Sequence, residues 1–446
     1  MTDVTASAPT DTRGTEPSAI PPRLVAAAVV GNALEFYDFT TYAYFAVQIG
    51  HAFFPGRSAF ESLMLSLATF GAGFFSRPVG AVVIGAIADR TGRKPAMLLS
   101  FTLMGLAILG LALTPTYAQI GLWAPLLALG FRLLQGFALG GEVGPTTAFL
   151  VEAAPPGRRG FYGGWQGASQ GVATLFGGLV GLAVSSALGP HALNAWGWRI
   201  AFLIGAAILP FGLIIRRGLP ETLHHPEHTV AGVPEGSGIG GHRRIIVLGL
   251  ALVGSFTTAT YVFQYMTTYA GTTLHMGPGA AFGVTVVSGS VGLVFTLWGG
   301  ALSDRFGRRR LVLIPRTVFL LATWPAFYLM WRYRGAAVLF GAMALMGALS
   351  AMSSGPGLIL LTESLRKEIR GLVLATVYAV ALAVFGGTTQ LIITALIHLT
   401  GDPLAPAWYM MAATVVGIIA ASLMQETAPN VKAGAMLKSA SPKASR

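Results

Sequence analysis

At 446 residues, 54% of them hydrophobic and only 10% charged, the chain has a mean hydropathy of +0.66, too apolar for its surplus to be hidden in soluble cores. It has no cysteine, which excludes disulfides, thiolate metal sites and cysteine nucleophiles. The formal charge of +12 does not mark a nucleic-acid binder, because the basic residues gather in alternate loops between apolar runs.

Residues 1–22 are rich in Thr, Ser, Pro and Asp, with no basic segment leading into an apolar one, and read as a disordered cytoplasmic tail. Apolar runs able to cross a bilayer, which takes about 20 residues, follow near 24–48, 62–88, 96–113, 119–153, 161–186 and 197–215. A second set lies near 245–270, 281–302, 311–331, 336–364, 372–398 and 407–424. The expected fold is therefore all-α and integral to a membrane. Twelve transmembrane helices form two pseudo-symmetric six-helix bundles, 23–216 and 245–425, joined by a polar cytoplasmic linker at 217–244 and followed by a basic cytoplasmic tail at 426–446. Basic residues after even-numbered spans place both termini in the cytoplasm, Arg316 being counted with the cluster Arg305, Arg308, Arg309 and Arg310 that follows the eighth.

The first span contains GNALEFYDFTTYAYFA, Gly31–Ala46. On a helix Asn32, Glu35, Asp38 and Tyr42 share one face, which must look into protein or water rather than lipid. A charge at mid-bilayer costs about 2.5–3.5 kcal/mol on insertion scales. Burial and a like charge one turn away both favour a neutral carboxyl. At least one of Glu35 and Asp38 is thus poised to carry a proton; the alternative is a structural pair locked to arginines. The second span holds Arg77 before Pro78, and its end leads into GAIADRTGRK, Gly85–Lys94. The fourth holds Arg132 and Glu142, which join Glu35 and Asp38 as the expected proton-coupling set, and ends in GPTTAFLVE, Gly144–Glu152. A guanidinium fork matches a carboxylate. Arg77 is the favoured substrate anchor and Arg132 the lesser one, unless each is simply paired with a carboxylate. The glycine-rich fifth span carries Gln166 and Gln170 four residues apart, uncharged donors and acceptors suited to carboxylates or hydroxyls. Arg199 opens the sixth at the outer mouth, as an anion guide or a surface anchor.

The linker contains HHPEH, which has no helix to fix its ligands, so neither metal nor cofactor is expected. In the second half the deep polar residues are neutral: Tyr261, Gln264, Tyr265, Tyr269, Gln390 and His398. With Asn32, Tyr42, Arg77, Gln166 and Gln170, Tyr265 and Gln390 complete the expected substrate-binding set.

The halves echo each other. GAIADRTGRK matches GALSDRFGRR, Gly300–Arg309, and GPTTAFLVE matches GPGLILLTE, Gly355–Glu363. Parallel repeats are the pattern of transporters whose substrate sits between the repeats near midplane. The Asp of each loop can accept bonds from a helix N-terminus or a neighbouring Arg, a latch that strengthens at a partly dry interface. The expected gating residues are Asp89, Arg90, Gly92 and Arg93 with Glu152 in the first half, and Asp304, Arg305 and Arg308 with Glu363 in the second.

The duplicated loop resembles the signature of the major facilitator superfamily. GNALEFYDF, FFSRPVGAVVIGAIADRTGRK, FRLLQGFALGGEVGPTTAFLVE, WGWRIAF and RRGLPET narrow the resemblance to its metabolite:proton symporter branch, over about residues 22–425. The resemblance implies alternating access and proton-coupled uptake of small metabolites, mostly organic acids, across a bacterial cytoplasmic (inner) membrane. Members that carry betaine or proline have a long C-terminal coiled coil, and the tail here has no heptads. The expected function is a monomeric symporter, embedded in membrane lipid and not an enzyme, that imports a di- or tricarboxylate such as citrate with protons. A shikimate-like monocarboxylate, a betaine-like zwitterion, export, and a receptor that binds without transport are the alternatives.

Overall fold

Long apolar segments satisfy their backbone polar groups internally, as a bilayer demands, and all the regular structure of the described residues is helical. The computed structural model describes residues 22–56, 58–91, 93–140, 154–155, 157–217, 243–365 and 367–429. The helices of the first half are α1 (Pro22–Tyr44), α2 (Ala46–Phe53), α3 (Ala59–Phe75), α4 (Arg77–Thr91), α5 (Arg93–Leu113), α6 (Trp123–Leu139), α7 (Arg159–Ala187) and α8 (Trp198–Arg217). Those of the second are α9 (Arg243–Thr272), α10 (Pro278–Phe306), α11 (Arg308–Tyr333), α12 (Ala336–Ser364), α13 (Lys367–Ala381), α14 (Gly387–Thr400) and α15 (Ala405–Leu423). Among the described residues eight helical spans are long and apolar enough to cross a membrane, and Leu98–Leu113 and Trp123–Leu139 are shorter apolar helices. α1 is not among the eight, since Asn32, Glu35 and Asp38 lower its hydropathy.

Several expected single spans are interrupted where the sequence gives a reason. The second breaks at Ser76, between α3 and α4, because Pro78 cannot donate a backbone bond. The Ser76 hydroxyl donates instead to the Leu133 carbonyl of α6 at 2.7 Å and to Gly73 at 3.0 Å. The eleventh, Val373–Thr400, contains a π-helical stretch at Leu382–Gly386, between α13 and α14. Such bulges cluster at functional sites, and this one turns Gly386 against Tyr261 and Phe74. Ends are set by ordinary capping: the Ser58 hydroxyl accepts from Glu61 N at the start of α3, and Gly401, at φ +67°, closes α14.

The halves meet along α7 and α10, which lie close enough to touch backbone to backbone. A methyl on Gly178 would stand 2.7 Å from Val286 N, and one on Gly171 2.5 Å from Leu293 N. Only glycine permits that approach. On the other flank α3 meets α14, with Gly387 against the Gly71 carbonyl.

Candidate functional site

Between the halves lies a cleft with two lobes. The first, about 130 Å³, is walled by α1, α7, α9, α10 and α12 and presents Gln170, Thr260, Gln264, Ser288, Ser350 and Ser354. The second, about 110 Å³, adds Gln166, Thr257, Phe256, Tyr261 and Tyr378. Phe36, Gly167, Gln170, Thr260 and Ser354 line both, so the lobes are continuous. The walls are rich in hydroxyl and amide groups, able to donate to or accept from a small polar solute.

The four polar residues of α1 are all buried, as their common face requires, but they meet different neighbours. Asn32 Nδ2 donates to Ser169 Oγ at 2.5 Å, and Gln166 Nε2 donates to Asn32 Oδ1 at 3.3 Å, joining α1 to α7. Gln166 Oε1 has no hydrogen bond among the described residues, and Gln166 lines the second lobe. Glu35 lies within electrostatic reach of Arg77. Asp38 packs against Gly205 of α8, where a side chain would collide with its carboxylate. Neighbouring Tyr37 donates to the Ala201 carbonyl of the same helix at 2.8 Å.

Arg77 and Arg132 share one ring. Each guanidinium carbon lies 4.3 Å from the centroid of Phe39. Arg77 also lies over Phe74 at 4.6 Å, and Arg132 over Tyr42 at 4.6 Å and Phe70 at 4.9 Å. Arg132 Nη1 donates to Gln135 Oε1 at 2.6 Å. The Nε atoms of both arginines have no hydrogen-bond partner among the described residues. Cation–π attraction strengthens when the ring and cation are desolvated together, so the aromatic layer holds two cations while leaving donors unused. Arg77 reaches Tyr261 and Tyr378 electrostatically, and both tyrosines line the second lobe.

Of the expected substrate residues, then, Gln166 and Gln170 line the cleft. Asn32, Tyr42, Arg77, Tyr265 and Gln390 do not line it and are buried in the packing around it. There Tyr265 accepts from Thr394 Oγ1 at 2.9 Å, and Gln390 Nε2 points to the Tyr261 carbonyl at 3.5 Å. Arg199 is tied to the end of α5, donating to the Ala112 and Thr114 carbonyls at 3.0 and 2.9 Å.

At one end of the molecule the second loop motif clasps the first half. Asp304 Oδ1 accepts from Gly160 N at 2.9 Å and Oδ2 from Phe161 N at 3.1 Å, capping the N-terminus of α7, where the helix dipole favours negative charge. Arg308 Nη1 donates to Asp304 Oδ1 at 2.6 Å and to Ser303 Oγ at 2.7 Å, and its Nε points to Glu363 at 3.5 Å. Arg90 and Arg305 are exposed. Gly92, Glu142 and Glu152 lie outside the described residues, as do the side chains of Asp89 and Arg93 and the linker at 218–242.

Sequence reasoning missed three features. Glu426, read as tail, accepts from Arg308 N at 2.8 Å and Arg309 N at 3.0 Å and caps α11; an acid just beyond an apolar run was the available signal. Tyr378 sits on the cleft wall, and Arg316, read as a loop cation, is buried inside α11.

Comparison with known proteins agrees with this architecture. The sequence model of the Major Facilitator Superfamily matches residues 28–386. The chain belongs to the major facilitator superfamily. It is 39% identical over 394 residues to a citrate-proton symporter of Klebsiella pneumoniae, covering 87% of this chain and 88% of that one. It is 33% identical to the alpha-ketoglutarate permease of Escherichia coli (strain K12), over 90% and 93% of the two chains. The crystal structure of a D-xylose-proton symporter has the same fold, with a TM-score of 0.73 at 20% identity over 93% of this chain and 99% of that one. Within the superfamily the chain stands in the metabolite:proton symporter family, whose members are transporters rather than enzymes.

Proposed function

We propose that this protein is a proton-coupled symporter that imports a small organic anion, a di- or tricarboxylate such as citrate, by alternating access. Twelve spans in two six-helix bundles would carry it, working as a monomer in a bacterial cytoplasmic membrane with both termini inside. The observation that carries the reading is the buried assembly of Arg77 and Arg132 on Phe39 beside Glu35, which lies one turn along α1 from Asp38. Relatives named for citrate and alpha-ketoglutarate support the substrate class.

In the cycle, the outward-open protein takes up a proton on Asp38 or Glu35. Neutralising Glu35 frees Arg77 to bind a substrate carboxylate bidentately, while Gln166 and Gln170 bond the rest. Protonated acid and paired arginine together lower the cost of closing the cleft away from water. Opening inward breaks the two bonds from Asp304 to α7, and substrate and proton leave.

Proton flux into proteoliposomes tests the reading, with citrate, tricarballylate, succinate, 2-oxoglutarate, shikimate and betaine offered in turn. Flux driven by a di- or tricarboxylate is expected. Flux with betaine or shikimate alone would replace the substrate class, and silence to all with binding intact would point to export or sensing.

A further inference from the structure

The second half holds a buried cation that the cycle above does not use. Arg316 lies in α11 with 1% of its surface exposed. Its Nε, Nη1 and Nη2 have no hydrogen-bond partner among the described residues. The guanidinium carbon rests 4.4 Å from the ring centroid of Phe256 and 5.3 Å from that of Phe319. An arginine does not shed its charge on burial, and an uncompensated charge inside a membrane protein is costly enough to mark a functional position. Two aromatic faces compensate part of that cost and leave every N–H donor open.

Phe256 places this cation beside the substrate path. Its ring belongs to α9 and lines the second lobe together with Tyr261 and Tyr378, the two tyrosines that Arg77 reaches. The lobe is therefore backed by Arg77 on the side of the first half and by Arg316 on the side of the second, each behind an aromatic screen. Gly357 of α12 faces the Phe256 ring, and any side chain there would collide with it, so the ring occupies space that only glycine leaves.

We propose that Arg316 is an anion-binding residue supplied by the second half, engaging one carboxylate of the substrate when the Phe256 ring turns aside while Arg77 holds another. A di- or tricarboxylate then bridges the two halves, and a monocarboxylate does not. The proposal rests on the carboxylate reading above and goes further by naming the partner of the distal carboxylate.

Citrate and tricarballylate binding to the purified full-length protein decides it, measured by calorimetry on the parent protein and on Arg316→Gln, Arg316→Lys and Phe256→Ala. Loss of one charge-assisted pair should weaken citrate binding by about tenfold or more in Arg316→Gln. Arg316→Lys, with the charge but not the fork, should fall between. Phe256→Ala should bind at least as tightly as the parent. A folded Arg316→Gln with unchanged affinity overturns the assignment. Should that variant fail to fold, unchanged affinity in Arg316→Lys overturns it equally, and weakened affinity supports it. A loss in Phe256→Ala matching that in Arg316→Gln would make the ring the determinant and sink the proposal. A parent protein that binds neither acid overturns the carboxylate reading itself, an outcome separate from any variant effect.

Discussion

At the scale of single residues, the acids of α1 and the arginines behind the cleft differ in what surrounds them. Arg132 has a neutral hydrogen-bond partner, Gln135, and three aromatic faces, so its charge is stabilised without an acid. Arg77 has rings and the nearby Glu35, a group whose charge can be removed. In the proposed cycle that difference makes Arg77 the cation whose freedom changes on protonation. Asp38→Asn should abolish uphill citrate uptake while leaving citrate exchange intact, because exchange needs no proton release; counterflow and gradient-driven uptake in the same vesicles separate the two. A variant that still concentrates citrate would refute the coupling scheme. Arg77→Lys keeps the charge and loses the bidentate fork. It should raise the Kd for citrate by about tenfold, the loss of about one charged hydrogen bond.

At the scale of helices, the motif around Asp304 shows what spacing can reveal. A repeated Gly-x-x-x-Asp-Arg-x-Gly-Arg turn predicts an acid placed to meet a helix N-terminus, since unsatisfied N–H groups cluster there, and Asp304 meets two of them on α7. Asp304→Asn removes the charge from that cap. A negative charge at a helix N-terminus is worth about 0.3–1 kcal/mol, and up to about 2 kcal/mol when partly buried, so the inward-open population should rise several-fold. The absence of native cysteine makes the measurement clean: Ser354→Cys, on the cleft wall, should label faster from the cytoplasmic side in the Asp304→Asn background. Equal labelling rates would show that the cap is no gate. Hydropathy located the eight long apolar spans found among the described residues, because lipid imposes length and composition on each. Counting basic residues by loop misplaced Arg316, because a cation near a helix end reads the same whether it faces the loop or the interior. Nor could spacing show that rings of Phe39, Phe74 and Phe256 stand around the arginines, since residues from three helices meet there only after folding.

At the scale of the whole molecule, alternating access requires that contacts between the halves exist at both ends and open in turn. One such contact, on the side proposed to face the cytoplasm, is the Asp304 cap. On the opposite side Phe60, at the start of α3, stacks on His398, near the end of α14, with ring centroids 3.8 Å apart and planes inclined by 13°. These residues belong to different halves, on the flank where Gly71 already meets Gly387. If the halves rock about the middle, the stack must part for substrate to enter from outside, whereas the α7–α10 contact acts nearer the hinge. Phe60→Cys with His398→Cys, joined by a short thiol cross-linker, should therefore stop citrate uptake, and a cleavable linker should restore it on reduction. The cleft should stay reachable from the cytoplasmic side throughout, so Ser354→Cys added to the linked protein should still label from inside. Uptake that continues with the outer side tied would mean that substrate enters by another route, and that rocking about the cleft is not the motion this fold uses.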